Sequence, residues 1–290
     1  LRRDDPATGR FFATACRAER SPRDQLVVTL DGHGYAWTNV TGRVGFRAAA
    51  TVRYDHDFRI VEDRMYVYFR QRQTYQTRFE PTVVTGGAHG VLGAGVHATL
   101  GTTMQVAVKQ LGGRILREQI AQGFTVIRES SGGVRVVFGL VEAGTQPLVP
   151  FAYRGEGLRF NDRSELHQGQ RDYLGPITIE RSEQQLHMDA RLEGAAAVDV
   201  LLVPQSVVKP WLAAYEGQPR PTPPPAAVPI DDVLPASRNS GVWRRAWDVP
   251  RGVYFIVLDH TIAAGRTSLP QARLDDRAAL VSYAIRVVEP

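Results

Sequence analysis

Cysteine is nearly absent from this 290-residue chain, in which Cys16 is the single example. An intrachain disulfide needs two cysteines, so a disulfide-stapled fold is excluded. A zinc site built on paired cysteines is excluded too, and no two histidines stand four residues apart as on a metal-binding helix. We therefore expect neither a metal nor a cofactor. No apolar leader-like segment precedes Cys16, and we expect it to be a small buried thiol near a strand.

Lysine is also scarce, since Lys109 and Lys209 are the only two. Arginine carries almost all of the positive charge, and the formal net charge is +5. The arginines are interleaved with Asp and Glu along the chain, whereas nucleic-acid-binding domains gather basic residues on one stretch or face. The sequence therefore predicts a solvated surface of mixed charge and no nucleic-acid partner.

Long apolar runs are missing as well. A transmembrane helix needs about 18 or more consecutive apolar residues, and the sequence contains no such run, so it predicts no transmembrane segment. Catalytic motifs are equally absent: there is no Gly-x-Ser-x-Gly, and Gly93-Ala94-Gly95 lacks the third glycine of a dinucleotide-binding loop. These absences favour a protein that is not an enzyme.

The densest group of acids and histidine is Asp55-His56-Asp57, at an expected strand end. Strand alternation would place the two aspartates on one face and His56 on the other. An unrecognised hydrolase that uses one of these residues stays open as an alternative. Asp31-Gly32-His33-Gly34 has the composition of a turn, and we expect a loop there.

What the chain does contain is strand periodicity. From Arg43 to Tyr54, apolar side chains occupy one parity and polar ones the other, which is typical of a half-buried strand. Similar runs predict strands at 25–30, 65–69 and 74–79, and a hairpin at 124–141.

After Gly86-Gly87 the apolar residues recur mostly every four positions, which predicts a long amphipathic helix that ends at Gly123. Gly112-Gly113 would either break or kink this helix or let it pack closely on a sheet. The apolar stripe consists of Val96, Leu100, Met104, Val108, Leu111 and Ile115.

A long helix between antiparallel strands and a hairpin resembles the lipid-binding folds of the TULIP type, in which a curved sheet wraps a helix. This resemblance implies that the apolar stripe lines a cavity for a lipid or another apolar small molecule. The alternative is that the stripe packs on the sheet as ordinary core.

In the C-terminal part, two strands are predicted on either side of Pro250-Arg251-Gly252, the second of them apolar on both parities, and a last strand is predicted at 279–288. The Pro-x-Gly-x-Tyr pattern that ends at Tyr254 resembles GOLD-type β-sandwiches, as does the order of a strand at 198–202 and a helix near Trp211. Asp259 is followed by His260, where that family carries Asn. The resemblance covers residues 172–290 and implies a binding or assembly module.

Residues 217–236 are rich in proline and should be extended. Such a segment suits a domain linker, a long loop or a ligand for a proline-binding module, and the strands on both sides favour the loop.

Together these patterns predict a mainly β protein with two domains. Residues 1–165 would form an antiparallel sheet with one long amphipathic helix, and residues 172–290 a C-terminal β-sandwich. The expected function is non-catalytic binding of a lipid or other apolar ligand outside the cytoplasm, as a periplasmic or secreted protein. The compartment follows from the resemblance, the β-rich pattern and a first residue other than Met. The alternative is a structural, adhesion or envelope-assembly protein that contacts envelope proteins through Trp243 and Trp247.

Overall fold

The computed structural model describes residues 8–38, 41–85, 97–130, 133–145, 149–153, 157–226, 228–237, 241–261 and 278–289, with the backbone alone for residues 8 and 97–105. Most of these residues are in strands, and the strands pair antiparallel, which confirms a mainly β fold. The chain divides into two compact units between Leu148 and Val149. We call them the N-terminal and the C-terminal unit.

The N-terminal unit contains a six-stranded sheet whose strands follow one another in chain order. The strands are β1 (Thr8–Arg20), β2 (Leu26–Thr38), β3 (Gly42–Val61), β4 (Arg64–Val84), β5 (Phe124–Glu129) and β6 (Val134–Phe138). The β3–β4 hairpin is the longest pairing, and it continues well beyond the two short strand signals that the sequence gives in 65–79. Its turn places Glu62 in the left-handed region, at a φ of 54°.

The loop expected at Asp31–Gly34 is wrong, because β2 runs straight through it. The glycines avoid a steric overlap with the neighbouring strand instead. A Cβ on Gly32 would overlap the carbonyl oxygen of Phe12, and one on Gly34 would overlap that of Arg10. Glycine therefore lets the backbone of β1 approach closely.

The buried thiol expected at Cys16 is also wrong, because Cys16 is exposed on β1. β1 is an edge strand that pairs with β2 alone among the described strands, and most of its residues are exposed. A strand at the edge of a sheet has fewer neighbours that could bury its side chains.

Helix α1 (His97–Ala121) packs against β4 and continues without a break through Gly112 and Gly113. A Cβ on Gly112 would overlap the ring of Phe79, so this glycine is the point of closest approach between helix and sheet. Of the two alternatives for the glycine pair, the structure has close packing. Gly123 ends the helix with a φ of 68°, and its N–H donates to the carbonyl of Ile120.

The C-terminal unit contains two four-stranded sheets, with the strand orders β11-β10-β13-β8 and β12-β9-β14-β7. One buried apolar cluster takes side chains from both sheets, among them Met188, Leu202, Ile256 and Tyr283. The bounds are β7 (Leu158–Leu166), β8 (Gln170–Ile179), β9 (Gln185–Glu193), β10 (Ala197–Pro204), β11 (Ile230–Pro235), β12 (Trp243–Asp248), β13 (Gly252–His260) and β14 (Ala279–Val288).

Two boundaries differ from those expected from the sequence. All of β7 except Leu166 lies within the predicted first domain, 1–165, but β7 pairs with β14 in the C-terminal unit. The proline-rich segment 217–236 is not a loop over its whole length, because β11 lies at its end and pairs with β10. The strands on either side of Pro250-Arg251-Gly252 belong to different sheets, so this turn carries the chain from one sheet to the other.

Helix α2 (Gln205–Gly217) lies against β10 and β13. Trp211 and Tyr215 place their rings 5.5 and 5.6 Å from the ring of Tyr173. Tyr173 is on the parity of β8 opposite to the core residue Leu174, so α2 covers the outer face of this sheet. Within the described residues, neither α1 nor α2 is long and apolar enough to cross a membrane.

The two helix glycines allow a matched test of how closely α1 packs. Gly112→Ala should lower the free energy of unfolding by about 1–3 kcal/mol, because the new methyl group overlaps Phe79. Gly113→Ala should raise it by up to about 1 kcal/mol, because the nearest atom, Arg117 Nη1, is 3.7 Å away and alanine favours the helix. Urea titration followed by circular dichroism measures both. Equal effects of the two variants would contradict the close contact.

Candidate functional site

The end of the six-stranded sheet formed by β3, β4, β5 and β6 presents three straight rows of side chains on one face. Residues directly opposite each other in antiparallel strands share a face, so the register defines the rows. They are His56-Phe69-Phe124-Phe138, then Phe58-Val67-Val126-Val136, then Ile60-Met65-Arg128-Val134. Ten of these twelve side chains are apolar. We call this surface the apolar face.

Five of these apolar side chains are open to solvent. Their exposed fractions are 63% for Phe58, 65% for Ile60, 63% for Val134, 60% for Val136 and 83% for Phe138. Single exposed apolar residues are ordinary on protein surfaces, but contiguous ones usually mark a binding site. The apolar face is therefore our candidate site.

The opposite face of the same strands is covered instead. Tyr66, Tyr68 and Ile127 are buried there, and Val61 and Ala143 pack on them. Thr125 fastens the covering segment, since its hydroxyl donates to the Gly139 carbonyl and accepts the N–H of Val141. The chain after β6 therefore turns away from the apolar face.

Among the described side chains of helix α1, contact with the apolar face occurs at its first row. Ile120, in the last turn of α1, packs on the cluster that includes Phe69 and Phe124, whose rings stack at 4.4 Å. The helix ends at Ala121, and β5 begins three residues later. The second and third rows continue beyond the helix end.

The predicted helix stripe is placed only in part. Val108 is buried and Leu111 and Ile115 are half-buried, as expected of a helix packed on a sheet. Val96 lies outside the described residues, and Leu100 and Met104 are described by their backbone alone. The exposed apolar residues of β3 and β6 were not predicted as site residues, although their alternation is a strand signal. Alternation shows that one parity is apolar, but not whether anything covers it.

Asp55-His56-Asp57 lies within β3 and not at a strand end, because the strand continues to Val61. Asp57 pairs with Arg70 at 2.5 Å, and Asp55 accepts a hydrogen bond from Gln25 at 2.6 Å. His56 lies on the apolar face, opposite to the face of both aspartates. The strand therefore keeps the three side chains from forming one catalytic site.

The C-terminal unit has a second group of polar residues, under α2. Arg171 and Asp259 are opposite each other on β8 and β13, their atoms Nε and Oδ2 are 2.5 Å apart, and both side chains are fully buried. The guanidinium also lies 4.6 Å from the Trp211 ring and donates to the hydroxyl of Thr261 at 3.2 Å. The pair thus ties both strands to α2.

Burial governs the protonation equilibria of this cluster. It raises the pKa of Asp259, against the opposing effect of Arg171, and it raises the pKa of Tyr173. Burial, with a contribution from nearby His167, lowers the pKa of His260. Asp259 and Arg171 have no surface that a substrate could reach, so their geometry indicates a structural role.

The predicted partner anchors belong to the core of the C-terminal unit. Trp247 is 6% exposed and lies in its apolar cluster, and half-buried Trp243 packs against that cluster. Arg245 stacks on the Trp243 ring at 4.8 Å. Trp247 therefore offers little area to a partner.

No group of three His, Cys, Asp or Glu that could hold a metal occurs in the part of the chain that the structure describes. No protein-family model matches this chain, and no curated protein matches it. The assignment of a function therefore depends on geometry.

The structural role of the buried pair can be measured against an exposed pair. Asp259→Asn should lower the free energy of unfolding by about 3–5 kcal/mol, because it leaves the Arg171 charge buried without a counter-charge. Asp232→Asn is the control, since Asp232 pairs with the more exposed Arg245 at the same 2.5 Å and should cost under about 1 kcal/mol. Tryptophan fluorescence during urea titration reports this, because Trp211, Trp243 and Trp247 all lie in the C-terminal unit. A small effect of Asp259→Asn would contradict the structural role.

Proposed function

We propose that this chain is a non-catalytic binding protein and that its N-terminal unit takes up a lipid or another apolar ligand on the apolar face. The single observation that carries the proposal is the register of Phe58, Ile60, Val134, Val136 and Phe138, which places five exposed apolar side chains on one surface. Solvated strand faces ordinarily carry polar residues, so a contiguous apolar one is typical of a binding surface.

The apolar face is large enough for an extended apolar ligand. Four strands spaced about 4.8 Å apart and three rows spaced about 6.8 Å apart give a surface of about 14 Å in each direction. Covering the Phe138 side chain alone is worth about 2 kcal/mol. Association costs about 4 kcal/mol or more, so a ligand must cover several of the five side chains to bind. An acyl chain meets this requirement.

For the helix, the proposal combines both sequence-based alternatives. Val108 and the Gly112–Phe79 contact support ordinary core packing over the middle of α1. The ligand would lie where the helix has ended, beyond Phe69 and Phe124. The amphipathic helix then acts as one wall of the binding surface.

For residues 172–290, the proposal includes a GOLD-type β-sandwich. Two observations support it: both sheets contribute to one core, and the Tyr254 hydroxyl donates to the Pro250 carbonyl at 2.9 Å across the Pro-x-Gly-x-Tyr turn. His260 in place of the family's Asn is the departure. The proposed location outside the cytoplasm follows from this resemblance.

The binding proposal predicts the effect of one substitution on the apolar face. Phe138→Ser should weaken binding of a fluorescent fatty-acid analogue about tenfold, because it removes about 2 kcal/mol of apolar contact. The side chain is 83% exposed, so the protein should fold normally. Fluorescence titration of the purified chain measures the change.

Phe11→Ser is the matched control, since Phe11 is 42% exposed on β1, at the other edge of the same sheet. It should leave binding unchanged. An equal loss in both variants, or no binding by the unmodified chain, would overturn the proposed function.

A further inference from the structure

The apolar face carries one permanent charge, that of Arg128. Arg128 lies in the third row, between Met65 of β4 and Val134 of β6, and it is exposed. Among the described residues, no carboxylate lies within ion-pair distance of its guanidinium. Glu129, the next residue in sequence, faces the other side of the sheet and lies 3.7 Å from Arg64. Asp63, in the β3–β4 turn, accepts a hydrogen bond from the Ser130 hydroxyl.

This charge restricts what can cover the third row. A purely hydrocarbon ligand over Arg128 would remove water from an arginine without replacing its hydrogen bonds, which is strongly unfavourable. A ligand that ends in an anion avoids this cost. Guanidinium donates two parallel hydrogen bonds to a carboxylate, and such pairs are stronger than neutral ones.

The position of Arg128 also gives the ligand a direction. The third row is next to the β3–β4 turn and the β5–β6 turn, whereas the first row is next to the end of α1. An anionic head at Arg128 would place the chain along β5 and β6, over Val134, Val136 and Phe138, which are three of the five exposed side chains. The three rows span about 14 Å along the strands, so the remainder of a long chain would reach Ile120.

We propose that the ligand is a single acyl chain with a carboxylate head, and that Arg128 binds the carboxylate while the rows of β3–β6 bind the chain. This inference rests on the proposed function and names its ligand class. One unpaired positive charge matches the single charge of a carboxylate. Arg128 is then the residue that determines specificity, and the apolar rows provide most of the affinity.

Comparison of laurate with 1-dodecanol separates the head from the chain, since the two share an equally long hydrocarbon. The unmodified chain should bind laurate about tenfold more tightly than 1-dodecanol, as expected for a hydrogen-bonded ion pair. Arg128→Gln should remove this preference and leave the binding of 1-dodecanol unchanged. Arg128→Lys should keep part of it, because it retains the charge without the planar guanidinium.

Arg135→Gln is the matched control. Arg135 lies on β6 opposite Ile127, which places it on the other face, and its loss changes the net charge equally. It should retain the full preference for laurate. Equal losses in Arg128→Gln and Arg135→Gln would indicate a general effect of charge and would overturn the assignment of Arg128.

The remaining outcomes separate this inference from the proposed function. If both ligands bind equally and Phe138→Ser weakens both, the face binds apolar ligands but the carboxylate inference fails. If neither ligand binds, both fail. If the chain is a dimer in sedimentation and Val136→Asp makes it a monomer, a second copy occupies the face and the inference is overturned. Binding to phosphatidylglycerol vesicles without binding of laurate would also overturn it, in favour of a bilayer surface.

Discussion

The register between β3 and β4 is the constraint on which the N-terminal unit depends. It sets Phe58 opposite Val67 and Ile60 opposite Met65, and it sets Asp57 beside Arg70 on the other face. Because side chains alternate along a strand, a shift of the register by one residue would exchange the two faces. The same register therefore aligns the apolar rows on one face and the ion pair on the other, and β5 and β6 extend the rows.

Each face of the sheet forms either core or exposed surface, according to whether another segment of the chain packs over it. The segment after β6 packs on Tyr66 and Ile127, which makes that face a small core. On the other face, α1 approaches the sheet at Gly112 and ends beside Phe69 and Phe124. Two rows of apolar side chains lie beyond it. The same alternation thus produces core on one side and a candidate binding surface on the other, according to where the covering elements end.

The C-terminal unit distributes its polar groups differently. Its charged pair, Arg171–Asp259, is sealed under Trp211, with both side chains fully buried. A pair in this position fixes which residues of β8, β13 and α2 meet, because any other arrangement would leave a buried charge without its partner. The pair therefore ties α2 to the outer face of its sheet, whereas the N-terminal unit leaves apolar surface in water. For this reason our proposal places ligand binding in the N-terminal unit.

The sequence by itself determined the local elements. The alternation at 43–54 lies within β3, the helical period lies in α1, and Gly123 ends that helix, because each of these depends on neighbours close in the chain. The turn at Pro250-Arg251-Gly252 between two strands was recognisable for the same reason. The sequence pattern did not predict β1, which is an edge strand with little burial. It did not predict β7 and β8 either, because their polar residues obscure the alternation.

Only the tertiary structure decided the rest. Gly32 and Gly34 looked like turn residues until β1 was placed beside them, since glycine suits both a turn and a close backbone approach. The hairpin predicted at 124–141 contains Phe138, but a strand pattern shows only which side chains share a face and not what lies over that face. The apolar face and the position of Arg128 within it therefore depend on strand pairing and on where the covering segments end, which are contacts between residues far apart in the chain.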